Sequence, residues 1–253
     1  MTQKVLVTAG AAGIGRELVR AFLAAGARVF TCDVDEAALE TLGDEFPTVG
    51  RTVCDVADRS AVAAMVEAAV ARLGGLDVLI NNAGIGGPNA PVETLDPDAW
   101  DRVLQVNLSG AFYVAQRAIP HLRRSAAGVM LNVSSVAGRF GYPNRSPYAA
   151  SKWGLIGLTK TLAMELGEAG IRVNAILPGA VAGPRMDRVM EARAAATGLS
   201  LAAIAEAGMA NQSLKAVVDP KDVAAFAVFL ASDAAKSISG QALSIDGDMQ
   251  RAS

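Results

Sequence analysis

The chain has 253 residues, of which 52% are hydrophobic and 19% charged, enough apolar material to bury one sizeable α/β core. Its 23 basic and 25 acidic residues leave a formal charge of −2, without the clustered Lys and Arg that a nucleic-acid surface requires. No uninterrupted apolar stretch reaches bilayer length, and Met1-Thr2-Gln3-Lys4 runs straight into Val5-Leu6-Val7, which leaves no room for a signal peptide, so a cytoplasmic, membrane-free protein is expected.

The first predicted strand, Val5–Thr8, ends in Thr8-Ala9-Gly10-Ala11-Ala12-Gly13-Ile14-Gly15-Arg16, and a helix is predicted over 14–26. Glycines between a strand and a helix permit a tight turn and let backbone amides approach a pyrophosphate at the helix N-terminus. The second strand, Arg28–Asp33, places Asp33 twenty residues after Gly13, where a carboxylate can accept from the ribose hydroxyls of adenosine. A 2′-phosphate at about 4 Å from Asp33 would be repelled by roughly 4 kcal/mol per unit charge at an effective dielectric near 20. No Lys or Arg at Ala11, Ala12 or Val34 offsets this, so NAD is favoured over NADP. Asp33 can equally cap the helix predicted over 35–46.

Strand Gly50–Cys54 and a helix over 58–73 come next. Cys32 and Cys54 each precede an Asp at the end of an apolar run. They read as two reduced, buried residues, although neighbouring strands would allow a disulfide. Strand Val78–Asn81 precedes a long helical pattern over 97–122, opened by Asp96 as N-cap and Pro97 at the first helical position. His121, near its end, suits the negative helix terminus or the surface better than catalysis.

Strand Val129–Val133 ends just before Ser134-Ser135, and the helix over 147–168 carries Tyr148 and Lys152 four residues apart, on one face. An ammonium about 4 Å from a phenol is worth roughly 4 kcal/mol, about three units off a pKa near 10. A Tyr so tuned is a general acid/base for an alcohol or carbonyl. The pair taken alone also fits an amphipathic helix with a snorkelling Lys, so the remaining motifs decide. Strand Arg172–Leu177 ends at Pro178-Gly179. Residues 183–215 then carry helical pattern at Met186–Ala196 and Leu201–Ala207 without a strand, and are expected to form a substrate loop or lid. A helix over 219–231 leads to the last strand, Ala242–Ile245.

These strands are rich in Val, Ile and Leu without strict alternation, as in strands covered on both faces. Alternating strand and helix implies right-handed crossovers and a doubly wound parallel α/β sheet, here one domain spanning 1–253.

In order, the Gly-rich turn, Asp33, Asp55, Asn81-Asn82-Ala83-Gly84, Asn107, Ser135, Tyr148-x-x-x-Lys152 and Pro178-Gly179 resemble the motif series of the short-chain dehydrogenase/reductase family, single-domain branch, from about residue 4 to 247. Each motif alone is common, and the series in this order and spacing is specific. The resemblance implies a Rossmann fold with a seven-stranded parallel sheet in the order 3-2-1-4-5-6-7 and helices on both faces. It implies Tyr148 as acid/base, Lys152 on the nicotinamide ribose and beside the Tyr, and Ser135 on the substrate oxygen. Asn107 would hold a water next to the Lys, and Ser134 would be structural. The implied cofactor residues are Gly10, Gly13, Ile14, Gly15, Asp33, Val34, Asp55, Val56, Asn82, Ala83, Gly84, Tyr148, Lys152, Pro178, Gly179 and Val181. Among them Asp55 would meet the adenine amino group with Val56 beside it, and Pro178-Gly179 would turn the chain at the nicotinamide. It also implies a homotetramer, with a dimer as alternative, built on long helices that carry Ala111, Phe112, Ala115, Trp153 and Gly157.

Two positions depart from the family pattern. Ala9 stands where a Gly is usual, and because Ala tolerates φ > 0 poorly a re-phased turn is expected, which leaves the part of Gly10 open. Gly183 stands where a Thr commonly contacts the nicotinamide amide.

The expected reaction is NAD-dependent interconversion of an alcohol (a secondary alcohol, polyol or sugar hydroxyl) and its carbonyl compound by hydride transfer. The alternatives are an NADP-dependent ketone reductase, an enoyl reductase and a non-catalytic dinucleotide-sensing Rossmann protein. Enoyl reductases space Tyr and Lys more widely, and sensors tend to lose one of them. Ser135, Tyr142, Asn144, Tyr148, Gly179 and the 183–215 insertion would frame the substrate. Arg185 could hold an anionic group there, Arg145 lies near the Tyr, and Arg188 and Arg193 fit a solvated face beside Asp187 and Glu191. No Cys/His cluster has zinc spacing, so no metal is expected.

Overall fold

The computed structural model describes residues 2–251, with the side chains of residues 185, 192, 193, 195 and 196 left aside. Seven strands alternate with helices: β1 (Lys4–Thr8), α1 (Gly13–Ala24), β2 (Arg28–Asp33), α2 (Glu36–Glu45), β3 (Gly50–Val53), α3 (Arg59–Leu73) and β4 (Val78–Asn81). There follow α4 (Pro97–Leu104), α5 (Gly110–Leu122), β5 (Val129–Val133), α6 (Ser146–Gly167), β6 (Arg172–Pro178), α7 (Pro184–Thr197), α8 (Leu201–Met209), α9 (Pro220–Ala231) and β7 (Ala242–Ile245). The strands form one parallel sheet in the order β3-β2-β1-β4-β5-β6-β7, the doubly wound order that the motif series implies.

The strand pleat sorts the apolar residues to two faces. Val5, Val7, Ile80, Leu131 and Ile176 pack with Leu18, Val19 and Phe22 of α1 and Val223, Ala227 and Leu230 of α9. Leu6, Leu79, Met130 and Val173, on the opposite face of the same strands, pack with Met65 and Val66 of α3, Val114 and Ala118 of α5, and Leu162 of α6. Each large side chain so buried contributes roughly 1.5–3 kcal/mol. This double burial explains why the strands read as continuous apolar runs. Helix starts follow the chemistry of the free N–H groups: Asp35, Asp58, Asp96, Ser200 and Asp219 accept from the first turns of α2, α3, α4, α8 and α9.

The helical pattern over 97–122 is not one α-helix. A π-helical turn, Gln105–Ser109, joins α4 to α5. Asn107 in that turn is fully buried, and Gly110 after it faces Val56 so closely that a Cβ there would lie 2.8 Å from Val56 Cγ2. A π turn inserts one residue into the helical ladder and presents Asn107 to the loop after β4 and to α6, a displacement that hydrophobic periodicity does not report.

Candidate active site

β1 and β4 are neighbours although they are not consecutive, so the sheet reverses its winding there and leaves a crevice at the strands' carboxyl ends. The turn after β1 lies at this crevice and keeps the ordinary phase. Ala9 itself takes φ +53°, so the expected re-phasing does not occur. Asn82 Nδ2 donates to the carbonyls of Thr8 and Ala9 at 3.1 and 3.0 Å, and Thr8 Oγ1 accepts from the amides of Asn82 and Ala83 at 3.0 Å. These long-range bonds hold an alanine in a region it disfavours. The part of Gly10 is then spatial. A Cβ there would lie 2.0 Å from Thr31 Oγ1, and one at Gly15 would lie 1.9 Å from the Ala9 carbonyl oxygen. Gly13, the first residue of α1, has φ +53° and open space around it. Ala12 caps α1 without a side-chain hydrogen bond, and no acidic residue lies in the first turn. A backbone cradle beneath an uncompensated positive helix end suits a pyrophosphate.

Asp33 ends β2. Its Oδ2 accepts from the Ala11 amide at 3.1 Å and its Oδ1 from the Val34 and Asp35 amides at 2.8 and 3.3 Å. Capping of α2 falls to Asp35, so the capping alternative for Asp33 does not hold. The Val34 side chain is exposed, whereas Ile14 packs against the α1 face of the sheet. Asp55 Oδ1 accepts from Ala57 N at 2.9 Å and Oδ2 from Arg102 Nη2 of α4 at 2.8 Å. Burial alone would raise the Asp55 pKa, but the Ala57 amide and the Arg102 guanidinium outweigh it and hold the carboxyl below its usual value. Val56 turns its side chain into the core.

Asn107, Ser135, Tyr148 and Lys152 converge from three elements. Asn107 Oδ1 accepts from Ile85 N at 2.7 Å, and its Nδ2 donates to Ile85 O and to Ser151 Oγ, both at 3.0 Å. Ser151 in turn donates to the Tyr148 carbonyl at 2.7 Å. Asn107 thus ties the strand-4 loop to the first turns of α6. A Cβ on Gly84 would come within 3.3 Å of Asn107 Oδ1 and 3.4 Å of Lys152 Nζ, so both polar groups flank this glycine. Lys152 is buried and donates to Val133 O at 2.9 Å. Its Nζ lies 5.7 Å from the Tyr148 ring centroid. Ser135 follows β5, and its Oγ accepts from Ala137 N at 3.2 Å. Ser134 is structural, as expected: its Oγ donates to the Lys152 carbonyl at 2.9 Å.

β6 ends in buried Pro178, and Gly179 runs so close to β7 that a Cβ would lie 2.9 Å from Asp246 Cα. Val181 forms an isolated parallel bridge with Val218. Gly183 caps α7 at φ +133°, a conformation closed to threonine, which accounts for the departure at this position. Asn144 is exposed at φ +60°, and Tyr142 is half-buried. Arg188 is exposed, whereas the Arg185 and Arg193 side chains lie outside the described residues. One residue that braces the site, Ser151, carries no motif in the sequence, whereas Arg145 was placed near the Tyr by its spacing alone.

Over 248 residues the chain is 38% identical to the 3-oxoacyl-[acyl-carrier-protein] reductase FabG of Thermotoga maritima, covering 96% of each chain. The family model described as enoyl-(acyl carrier protein) reductase matches residues 9–250. The chain belongs to the short-chain dehydrogenase/reductase family. As a short-chain dehydrogenase/reductase it is an oxidoreductase acting on CH–OH groups with a nicotinamide nucleotide. Two solved structures of the family superpose with TM-scores of 0.92. An NAD+-bound xylitol dehydrogenase is 30% identical, with 97% of this chain and 98% of that one covered. An actinorhodin polyketide ketoreductase variant with NADPH is 33% identical, with 97% and 96% covered. In this short-chain dehydrogenase/reductase no helix among the described residues is long and apolar enough to cross a membrane.

Proposed function

We propose that the chain is an NAD-dependent dehydrogenase that oxidises a secondary alcohol, polyol or sugar hydroxyl, with Tyr148 as acid/base. The observation that carries this reading is the buried Lys152 ammonium beside the Tyr148 ring, with Ser135 at the end of the adjacent strand. In oxidation the Tyr148 phenolate takes the substrate's hydroxyl proton, and the Lys152 ammonium favours that phenolate. Ser135 accepts from a backbone amide, which leaves its hydrogen to donate to the substrate oxygen. When bound, the nicotinamide accepts or supplies the hydride. The Gly10–Gly15 turn would hold the pyrophosphate, Asp33 the adenosine ribose, Asp55 the adenine edge, and Lys152 the nicotinamide ribose. Asp33 supports NAD, because no cationic side chain stands at Ala11, Ala12 or Val34 to hold a 2′-phosphate. Residues 183–215, which contain α7 and α8, would close over the substrate.

Assembly as a homotetramer is part of the same reading. Ala111 and Ala115 are spent on the sheet, while Phe112 and Trp153 are 45% and 52% exposed and Gly157 has open space around it. An apolar stripe on α5 and α6 suits helix packing between copies. The test of function is reduced-nicotinamide absorbance across polyols, sugars, hydroxy acids and ketones, with NAD and NADP in parallel. Turnover with NAD supports the reading. Nucleotide binding without turnover of any substrate would replace it with the sensor.

A further inference from the structure

The loop before α6 places a cation beside Tyr148 that no motif accounts for. Arg145 is only 9% exposed. Its guanidinium carbon lies 5.2 Å from the Tyr148 ring centroid and 5.5 Å from that of Tyr142. Its Nη2 donates to Gly86 O at 3.0 Å, in the loop that Asn107 also holds, while its Nε is buried with no hydrogen-bond partner. Among the described residues no carboxylate lies within 4.0 Å of it. A buried cation without a counter-ion is costly, and two aromatic faces and one carbonyl compensate it only in part. Two groups beside it can become anions, the phenols of Tyr148 and Tyr142.

We propose that Arg145 is a positioning residue of the acid/base: it fixes the Tyr148 ring and supplies, with Lys152, a second positive neighbour for the phenolate. This rests on Tyr148 being the acid/base. Arg145 stands just before the first turn of α6 and Lys152 one helical turn after Tyr148, and both lie close to the Tyr148 ring. Lys152 Nζ lies 5.7 Å from the same centroid, a distance similar to that of Arg145. At such distances and an effective dielectric near 20, each charge favours the phenolate by up to about two pKa units.

Among the described residues, the other charged groups on the elements packed here face elsewhere. Helix α4, packed on α6, carries Asp98, Asp101 and Arg102, all exposed, and Arg102 is paired with Asp55. Arg139 lies over Phe140 and reaches Ser244. Arg172 of β6 is bound to the carbonyls of Leu230, Ser232 and Ile238. The π turn, β5 and residues 82–91 bring no charged side chain. Among the described residues, Tyr142 is the remaining titratable neighbour.

The test is a tyrosinate absorbance titration of the cofactor-free protein, with steady-state oxidation and NAD affinity measured beside it. The wild type should show one early-titrating tyrosine that Tyr148→Phe removes. Arg145→Gln, which keeps a donor for Gly86 O, should raise that midpoint by about one unit or more and lower neutral-pH kcat/KM by about tenfold, with little change in NAD affinity. Arg145→Lys should restore most of the shift. In Lys152→Met the midpoint should stay about one unit below that of a free phenol. An unchanged midpoint in Arg145→Gln overturns the proposal. If that variant does not fold, a Lys152→Met midpoint at the free-phenol value overturns it instead. Undiminished turnover in Tyr148→Phe would mean that the acid/base reading itself has failed, whereas failure of the Arg145 and Lys152 arms alone leaves that reading standing.

Discussion

The Lys152 ammonium donates to the main-chain carbonyl of Val133 at 2.9 Å and so fastens the early turns of α6 to the carboxyl end of β5. One side chain thereby sets both the charge beside Tyr148 and the place of the helix that carries it. Lys152→Arg keeps a positive charge but puts a wider, planar head where Nζ already flanks the Gly84 position. Expected are a loss of turnover of about 10²-fold or more and a lower melting temperature, read by steady-state rates and thermal unfolding. Turnover within about tenfold of wild type would mean that charge alone suffices.

Proton transfer is predicted to separate cleanly from nucleotide binding. Tyr148→Phe removes the hydroxyl and leaves the ring between Arg145 and Lys152. Its kcat/KM should fall by about 10³-fold or more, with NAD affinity measurable by fluorescence titration. The wild-type oxidative rate should rise with pH, because only the phenolate accepts the proton. That rise should be absent from the residual rate of the variant.

Cofactor choice should follow the charge at position 33. About 4 kcal/mol of repulsion corresponds to roughly 10³-fold in kcat/KM between NAD and NADP. Asp33→Asn keeps acceptor capacity for the Ala11 amide and removes the charge, so the preference should shrink to about tenfold or less. An unchanged ratio would move the source of discrimination away from Asp33.

The two departures from the family pattern should respond in opposite senses to restoration. Ala9 sits at φ +53°, so Ala9→Gly should stabilise by about 1 kcal/mol, a rise of roughly 2–4 °C in melting temperature. Gly183 sits at φ +133°, so Gly183→Thr should strain the start of α7 and cost about 1–3 kcal/mol or displace the helix. Calorimetry of both variants checks this.

Cys32 and Cys54 should stay unreactive in the folded protein. Both are free and buried. Contact with Cys54 and burial push the Cys32 thiol well up, whereas the contact with Cys32 lowers Cys54, whose protection rests on its burial. Because the thiolate is the reactive form, an aromatic disulfide reagent at neutral pH should titrate neither until denaturant is added. Rapid modification of the native protein would contradict the burial.

The legible part of this molecule is the part written in local chemistry. Asp96 caps its helix as the Asp96-Pro97 pair predicts, and the Val-rich strands pair in the implied order. The π turn at Gln105–Ser109 was not legible, because its Asn107 side chain is satisfied by the backbone of Ile85, more than twenty residues away. Nor was the phase of the turn at Ala9, since intrinsic backbone preference argues against φ > 0 there and bonds from Asn82 overrule it.

By itself the sequence determined the layered sheet, the nucleotide turn and the Tyr–Lys pair, because spacing along a helix or strand dictates which side chains share a face. Only the tertiary structure decided that Asp33 serves the turn amides rather than a helix cap, that Asn107 spends its amide on Ile85 and Ser151, and that Arg145 is buried over two tyrosine rings. The physical reason is that hydrogen bonds and buried charges are settled by partners distant in the chain, and local periodicity carries no record of which distant partner arrives.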